Sequence, residues 1–198
     1  MNLTNQQIQR WAQTFQGHIT DYQLVDEGRQ GIIFTGQLGT QIHIYSQLTA
    51  QTELIKRTNS IGSFEMISTT KINSRFAFIY SELNLPEEVY WTDRFYQMNK
   101  ITNENQLFTQ RNLPKGKSFQ WINQQDQIEI ERILLYLPDR FEQNNLPLLT
   151  LIHGGLYDAD TNVFHADFGI ILHLCLQLNV GSSFNRIIAV QQVMETNF

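Results

Sequence analysis

The chain has 198 residues, of which 41% are hydrophobic and 17% are charged, and its formal net charge is −5 at pH 7. This length suits one large domain or two small ones. The negative charge argues against non-specific binding to nucleic acid or to an anionic membrane, because both surfaces carry phosphate. We therefore expect neither a nucleic-acid partner nor a membrane partner.

The cysteine count and the apolar stretches predict a cytoplasmic protein. The single cysteine, Cys175, excludes an intrachain disulfide and lies in an apolar run, where a buried, inert thiol is expected. Residues 1–10 are polar and lack the apolar core of a signal peptide. The apolar stretch 169–180 is only about a dozen residues long and contains His173, so it predicts a buried helix rather than a transmembrane segment.

The first part of the chain changes from an ambiguous pattern to a clear strand pattern. Residues 8–19 suit a helix by their apolar spacing, but their Trp and Phe residues also suit a strand. Beyond Tyr22 the apolar period becomes two, which indicates short antiparallel strands. A glycine in the connection 37–40 suits a hairpin turn. Strands are predicted at 31–36, 41–45 and 52–57, and again at 63–68, 75–80 and 88–91.

Two stretches of this region resemble each other. Each has a strand, a turn, a strand ending in an aromatic residue, and a final strand that ends in Thr-Asn. The repeat period of roughly 45 residues falls in the range of β-propeller blades. An ordinary antiparallel meander is the alternative. The two copies comprise 31–35, 41–45 and 54–59, and then 75–80, 87–91 and 98–103.

From Phe119 onwards the pattern indicates an α/β domain. A short strand at 120–123 and a longer one at 128–137 precede the apolar run 148–152, which predicts a strand buried on both faces. His153, Gly154 and Gly155 follow this run as a glycine turn, and a helix is predicted at 166–178. Strand, strand, strand, glycine turn and helix is a typical opening of an α/β domain.

These residues resemble the prolyl oligopeptidase family of serine peptidases, in the branch that includes acylaminoacyl peptidases and fungal-type dipeptidyl peptidases. The stretch 86–90 with 101–103 is similar to the last propeller blade, residues within 121–138 to the linker, and 147–155 to the strand and first conserved loop of the hydrolase domain. The resemblance extends from about Asp21 to Leu178, and the residues after Ser183 lie outside it.

The resemblance implies a mixed β and α/β fold. A partial β-propeller of about two blades of antiparallel strands would occupy residues 1–118. The N-terminal strands and first helix of a truncated α/β-hydrolase domain would follow at residues 119–198. In the intact family the hydrolase domain cleaves short peptides through an acyl-enzyme intermediate, and the propeller limits the access of large substrates.

The resemblance also implies a role for the glycine turn. His153, Gly154 and Gly155 would form the oxyanion and substrate loop, since backbone N–H groups of such a turn stabilise the oxyanion in α/β-hydrolases. Leu156 stands where the family usually has Pro. No Gly-x-Ser-x-Gly nucleophile elbow occurs in the 198 residues, so we expect no catalytic residue here and no hydrolysis by this chain alone.

Metal and cofactor motifs are not expected. Asp158 begins a segment like a calcium loop, but Val163 and Gly169 stand where Gly and Glu are required. The cluster of His153, His165, Asp167 and His173 lacks the i, i+4 spacing of two ligands on one helical face. The sequence therefore predicts neither a metal nor a cofactor.

Three functional hypotheses follow. The first is a fragment of a prolyl oligopeptidase-like serine peptidase whose substrates are short peptides. The second is a non-catalytic binding or dimerising β module derived from such an enzyme, which would self-associate through open strand edges. The third is an unrelated small all-β binding protein with a helical tail.

Overall fold

A computed structural model of the chain describes residues 8–29, 31–70, 75–92, 97–110, 115–136, 148–152, 160–164 and 188–194. These residues are mostly β-strand. Helical structure among them is restricted to a 3-10 turn at Val25–Gly28 and one α-helical turn at Gln106–Thr109. The strands form a sheet of eight strands and a sheet of four, and neither closes on itself within the described residues.

The eight-stranded sheet consists of two four-stranded antiparallel meanders. The first meander contains β1 to β4 and the second contains β5 to β8. A single parallel pairing of Ile42 with Ser63 joins them. The strands are β1 His18–Leu24, β2 Ile32–Leu38, β3 Gln41–Gln47, β4 Ile55–Lys56, β5 Ser63–Thr69, β6 Phe76–Glu82, β7 Leu85–Thr92 and β8 Met98–Lys100.

The period-two pattern predicted these strands well. The strand predicted at 52–57 is shorter than expected and comprises only Ile55 and Lys56. Residues 8–17 contain turns rather than the alternative helix, and the strand begins at His18. The hairpin predicted at 37–40 is present, with Gly39 at a φ of 58° in the two-residue connection between paired Leu38 and Gln41. Glycine in the first position of such a turn matches the twist of the flanking strands.

Strands β2 and β3 of the first meander are buried on both faces, and apolar residues occupy successive positions of β2. Ile33 and Ile44 face the second meander and pack in a cluster with Phe64 and Phe78. Phe34 and Tyr45 face the opposite side, where their rings stack with centroids 5.4 Å apart. The larger cluster between the meanders is therefore the main core of the eight-stranded sheet.

The N-terminal segment covers the outer face of the first meander. Phe15 packs against Phe34 and Tyr45, with ring centroids 5.3 and 4.9 Å away. Its ring lies directly over Gly36, where an added Cβ would come within 2.4 Å of the Phe15 Cζ. Gly36 thus makes room for the ring in a strand that would otherwise carry a side chain.

Replacing Gly36 with Ala should displace the Phe15 ring and destabilise the protein by about 1–3 kcal/mol. The measurement is urea unfolding of G36A, F15A and the double variant. Because both single changes remove the same packing, their costs should be far from additive. Additive costs would show that Gly36 acts independently of the ring.

The second sheet has four strands in the order β11-β12-β10-β9. Strands β9 and β10 form an antiparallel hairpin, β12 pairs antiparallel with β10, and β11 pairs in parallel with β12. Because parallel neighbours require a crossover connection, the chain must cross the sheet between the end of β11 and the start of β12. The strands are β9 Lys115–Ile122, β10 Glu129–Tyr136, β11 Leu148–Ile152 and β12 Ile188–Met194.

Two features of this sheet were not predicted from the sequence. The run 148–152, predicted as a strand, forms β11, which lies at one end of the described sheet and pairs there only with β12. The residues after Ser183, which carry no family resemblance, contribute β12 to the interior of the sheet. The apolar run Ile187 to Val190 was the available signal for this strand.

Several predicted features lie outside the described residues. They are the glycine turn, the helix at 166–178, and the side chains of Cys175, His165, Asp167 and His173. In the ranges that the structure does describe, no helix is long and apolar enough to cross a bilayer.

Candidate functional site at the junction of the two sheets

The predicted oxyanion loop, His153, Gly154 and Gly155, lies outside the described residues, but the structure describes the chain on both sides of it. Strand β11 ends at Ile152, immediately before His153, and its last residue pairs with Gln192 of β12. The chain is described again at 160–164. The loop therefore begins at a strand of the second sheet.

The segment Asp160–Phe164, which we call the strap, lies against the hairpins of the first sheet. The Asn162 backbone N–H donates to the Thr40 carbonyl at 2.7 Å, and the Asn162 Nδ2 donates to the Thr40 Oγ1 at 3.2 Å. The Phe164 N–H donates to the Ser81 Oγ at 3.4 Å. The Phe164 ring meets the Phe108 ring edge-on at 5.6 Å. Asn162, Val163 and Phe164 are all buried.

Thr40 also contacts the second sheet. Its backbone N–H donates to the Glu131 Oε2 and its hydroxyl donates to the Glu131 Oε1, both at 2.9 Å. Glu131 belongs to β10 and is only 8% exposed, and Thr40 is fully buried. A buried carboxylate requires hydrogen-bond donors in place of water, and Thr40 supplies two of them.

The hydrogen bonds fix the orientation of the Asn162 amide. Because the Thr40 hydroxyl has a single proton and donates it to Glu131, it accepts from the Asn162 Nδ2. The Asn162 Oδ1 then points away from Thr40 and has no hydrogen-bond partner among the described residues. Thr40 thus links the strap to β10 through all of its polar groups.

A second buried carboxylate lies in the second meander. The Glu88 carboxylate accepts hydrogen bonds from the Thr102 hydroxyl, from the Glu104 N–H at 3.1 Å and from the Asn105 N–H at 2.9 Å. Lys100 Nζ lies 3.5 Å away. Burial alone would raise the pKa of Glu88, but these hydrogen bonds and the Lys100 charge together hold it below the usual value.

His43 occupies the matching position in the first meander. Its Nδ1 lies 3.2 Å from the Thr58 hydroxyl and its Nε2 lies 2.8 Å from the Gln41 Oε1. Burial, together with the charge of Lys56, lowers the pKa of His43 to about 4. The neighbours of this histidine are a threonine and an amide rather than a nucleophile and an acid, so it stabilises the meander instead of forming a catalytic triad.

The two meanders share this hydrogen-bond arrangement in detail. The Ile44 N–H donates to the Thr58 Oγ1 at 3.0 Å, and the Val89 N–H donates to the Thr102 Oγ1 at 2.9 Å. In each meander the residue before the threonine donates its N–H to the carbonyl of the same Ile44 or Val89. The two Thr-Asn strand ends recognised in the sequence are therefore structurally equivalent.

The described residues offer no obvious metal site. Across the described ranges, no group of three or more His, Cys, Asp or Glu side chains is arranged to bind a metal ion. The buried acids Glu88 and Glu131 are instead occupied by backbone and hydroxyl donors. Sequence reasoning did not single out Thr40, Glu131 or Asn162, whose hydrogen bonds join segments far apart in the chain.

No protein-family profile and no curated protein matches the chain, but solved structures do. The acylaminoacyl peptidase of Pyrococcus horikoshii matches with a TM-score of 0.65 and 12% identity, over 89% of this chain and 25% of that one. An acylaminoacyl peptidase in complex with Z-Gly-Gly-Phe-chloromethyl ketone matches with a TM-score of 0.66 and 11% identity, over 91% and 25% of the two chains.

A post-proline cleaving enzyme from Rickettsia typhi matches with a TM-score of 0.57 and 10% identity, over 88% of this chain and 24% of that one. The chain thus spans about a quarter of the length of these proteins. At such identities the likeness concerns the fold. The structural neighbours of the chain are peptidases of the prolyl oligopeptidase family.

Proposed function

We propose that the chain is part of a serine peptidase of the prolyl oligopeptidase family, covering the junction between its propeller and its hydrolase domain. The observation that carries the proposal is the four-stranded sheet in which β11 is the third strand and leads directly into His153-Gly154-Gly155. In α/β-hydrolases the loop after the third strand supplies an N–H to the oxyanion hole. His153, Gly154 and Gly155 are the proposed oxyanion and substrate loop.

The order in which the chain connects the strands of the second sheet supports the hydrolase assignment. A hairpin, β9 and β10, comes first, and the chain then crosses over so that β12 lies between β10 and β11. A crossover between parallel strands is the mark of an α/β domain, and it accommodates the helix expected at 166–178. We propose residues 119–198 as the start of this domain, including its first helix.

The two meanders support the propeller assignment. A propeller blade is a four-stranded antiparallel sheet that packs its face against the next blade. Each of the two meanders, β1–β4 and β5–β8, consists of four antiparallel strands. The hydrophobic cluster containing Ile33, Ile44, Phe64 and Phe78 lies between the two meanders. We propose that strands β1–β8, within residues 1–118, form two adjacent blades, whereas Lys115–Ser118 already belong to β9 of the second sheet.

The proposed substrates are short peptides. One structural neighbour was solved with a peptide chloromethyl ketone bound, which is consistent with peptide chemistry in this fold. Acyl transfer also needs a nucleophile, a base and an orienting acid. Since no Gly-x-Ser-x-Gly elbow occurs in these 198 residues, we propose that they supply the oxyanion loop and no catalytic residue, and are inactive alone.

The proposal is tested by reading the transcript beyond codon 198 and by assaying the 198-residue chain. We expect an in-frame Gly-x-Ser-x-Gly elbow followed by Asp and then His. The chain alone should not hydrolyse short chromogenic peptides and should not react with a fluorophosphonate. A transcript without an elbow would contradict the family assignment. Turnover that survives repurification and is abolished by a serine-directed inhibitor would contradict the inactivity.

A non-catalytic binding or dimerising module is the second candidate, and one observation favours it. Strand β1 ends the described sheet and exposes apolar side chains at Ile19, Tyr22 and Leu24, which are 38%, 62% and 46% exposed. An apolar edge strand promotes pairing with another chain. Sedimentation velocity over a range of concentrations distinguishes the candidates, because a folded, reversible dimer would favour the module and a folded monomer would argue against it.

A further inference from the structure

We propose that Thr40 is a positioning residue for the oxyanion loop, because it fixes the strap Asp160–Phe164 to the second sheet through Glu131. The inference rests on the proposed function for its catalytic meaning. Independently of any catalysis, the turn between β2 and β3 holds the far end of the loop that starts after β11.

The short segment of chain between β11 and the strap explains why the Thr40 contact would affect the oxyanion loop. The loop starts at Ile152, which pairs with β12, and only residues 153–159 separate it from the strap. A short loop whose two ends are both fixed has far fewer conformations than one with a free end. Releasing the strap would therefore increase the conformational freedom of His153, Gly154 and Gly155. Preorganised donors are what an oxyanion site requires.

Thr40 is suited to this role by its place in the fold. It lies in the two-residue turn between β2 and β3, where the pairing of Leu38 with Gln41 fixes its backbone. Its N–H and hydroxyl both donate to Glu131, and its carbonyl and hydroxyl oxygens accept from Asn162. The hydroxyl is the one atom that bonds to Glu131 and Asn162 at once.

The contact also requires a hydroxyl group at position 40, and not only a side chain of the right shape. Valine at position 40 would match the shape of threonine and keep both backbone hydrogen bonds, but it would leave a Glu131 oxygen and the Asn162 amide without the hydroxyl. Both groups are buried, so water cannot readily replace it. Serine would retain the hydroxyl and lose only a methyl group. The pair T40V and T40S therefore separates the hydrogen bonds from the packing.

The test is amide hydrogen exchange on the 198-residue chain, comparing T40V, T40S and T58V. Thr58 is a matched control because it is a buried threonine whose hydroxyl bonds stay within the first meander. We expect T40V to speed exchange in residues 153–164 by about tenfold over wild type, the factor for one lost hydrogen bond of roughly 1.4 kcal/mol. T40S should restore the wild-type exchange rate there, and T58V should leave exchange in this segment unchanged relative to the other segments.

Two results would overturn the inference: a T40V effect spread evenly over all strands, or equal exchange of residues 153–164 in T40V and wild type. No hydrolysis is measured, so the outcome is independent of the peptidase proposal. If the exchange pattern holds while the transcript lacks an elbow, Thr40 positions the loop in a protein that is not a peptidase. If an elbow is present and the exchange pattern fails, the peptidase proposal stands without this role for Thr40.

Discussion

Replacing Glu88 with Ala should lower the free energy of unfolding by about 3–5 kcal/mol, since removing one partner of a buried ionic network leaves the others uncompensated. The Glu88 side chain is 1% exposed and accepts from Thr102, Glu104 and Asn105. Its loss would leave these donors without an acceptor and remove the charge beside Lys100. Urea unfolding followed by tryptophan fluorescence measures the change.

The neighbouring residue provides the control. Glu87 carries the same charge but its side chain is exposed, so E87A should change stability by no more than about 0.5 kcal/mol. E88Q keeps the volume of the side chain but loses the charge and one of the two acceptor oxygens. It should therefore still lower the free energy of unfolding by at least about 2 kcal/mol. A wild-type stability for E88Q would show that packing, rather than the carboxylate, holds the 102–105 segment in place.

The pH dependence of this contribution follows from the direction of the shift. The pKa of Glu88 is lower in the folded protein than its ordinary value of 4.5. The contribution is therefore complete above pH 4.5 and is lost as the pH falls through the folded-state pKa. E88A should consequently differ least from wild type in acid.

Local patterns in the sequence were enough to predict most of the eight-stranded sheet. An apolar run bounded by glycines located β2, alternating apolar residues located β3 and β6, and Gly39 located the hairpin between β2 and β3, because neighbouring strands and a two-residue turn depend only on residues close in the chain. The equivalence of Thr58 and Thr102 was also visible, since each lies two positions after a lysine, Lys56 or Lys100, and is followed by an asparagine.

The junction could not be predicted in this way, because its partners are distant in the sequence. Thr40 and Glu131 are 91 positions apart, and Thr40 and Asn162 are 122 apart. The one local sign was a carboxylate, Glu131, within the apolar strand run 128–137, since such a residue must find donors if it is buried. Nothing local identified Thr40 as the donor.

Strand β12 was missed for a different reason. Its residues carry no family resemblance, and a parallel pairing with β11 depends on a crossover of 35 residues, from 153 to 187, rather than on a turn. The apolar run at 187–190 suits a strand, but it does not by itself indicate which strand it joins. The register, in which Leu148 pairs with Ile188, emerges only from the folded sheet.

The stability of the protein should also fall by about 3 kcal/mol as the pH is lowered from 6.5 to 4, through His43 alone. Its pKa of about 4 lies well below the ordinary 6.5, first because the ring is buried and second because Lys56 is positive. The folded state therefore favours the neutral ring, whereas the unfolded chain gains a proton near pH 6.5. The stabilisation is complete above 6.5 and is lost as the pH falls to 4.

The hydrogen bonds of His43 account for this preference for the neutral ring. The Thr58 hydroxyl accepts the Ile44 N–H, which leaves its own proton to donate to the Nδ1, while the Gln41 Oε1 accepts from the Nε2. Both ring nitrogens are thus satisfied in one neutral tautomer. A second ring proton would face the Thr58 hydroxyl in a site 3% exposed to water.

The decisive measurement is urea unfolding of wild type and H43Q at pH values from 4 to 8. Other acids, including Glu88, contribute to both proteins, so their effects cancel in the difference between the two profiles. The wild-type advantage should be constant above pH 7 and should shrink by about 3 kcal/mol by pH 4. A difference that stays constant would mean that the ring gains its proton as readily in the folded state as in the unfolded one. The hydrogen bonds to Thr58 and Gln41 would then not favour the neutral ring.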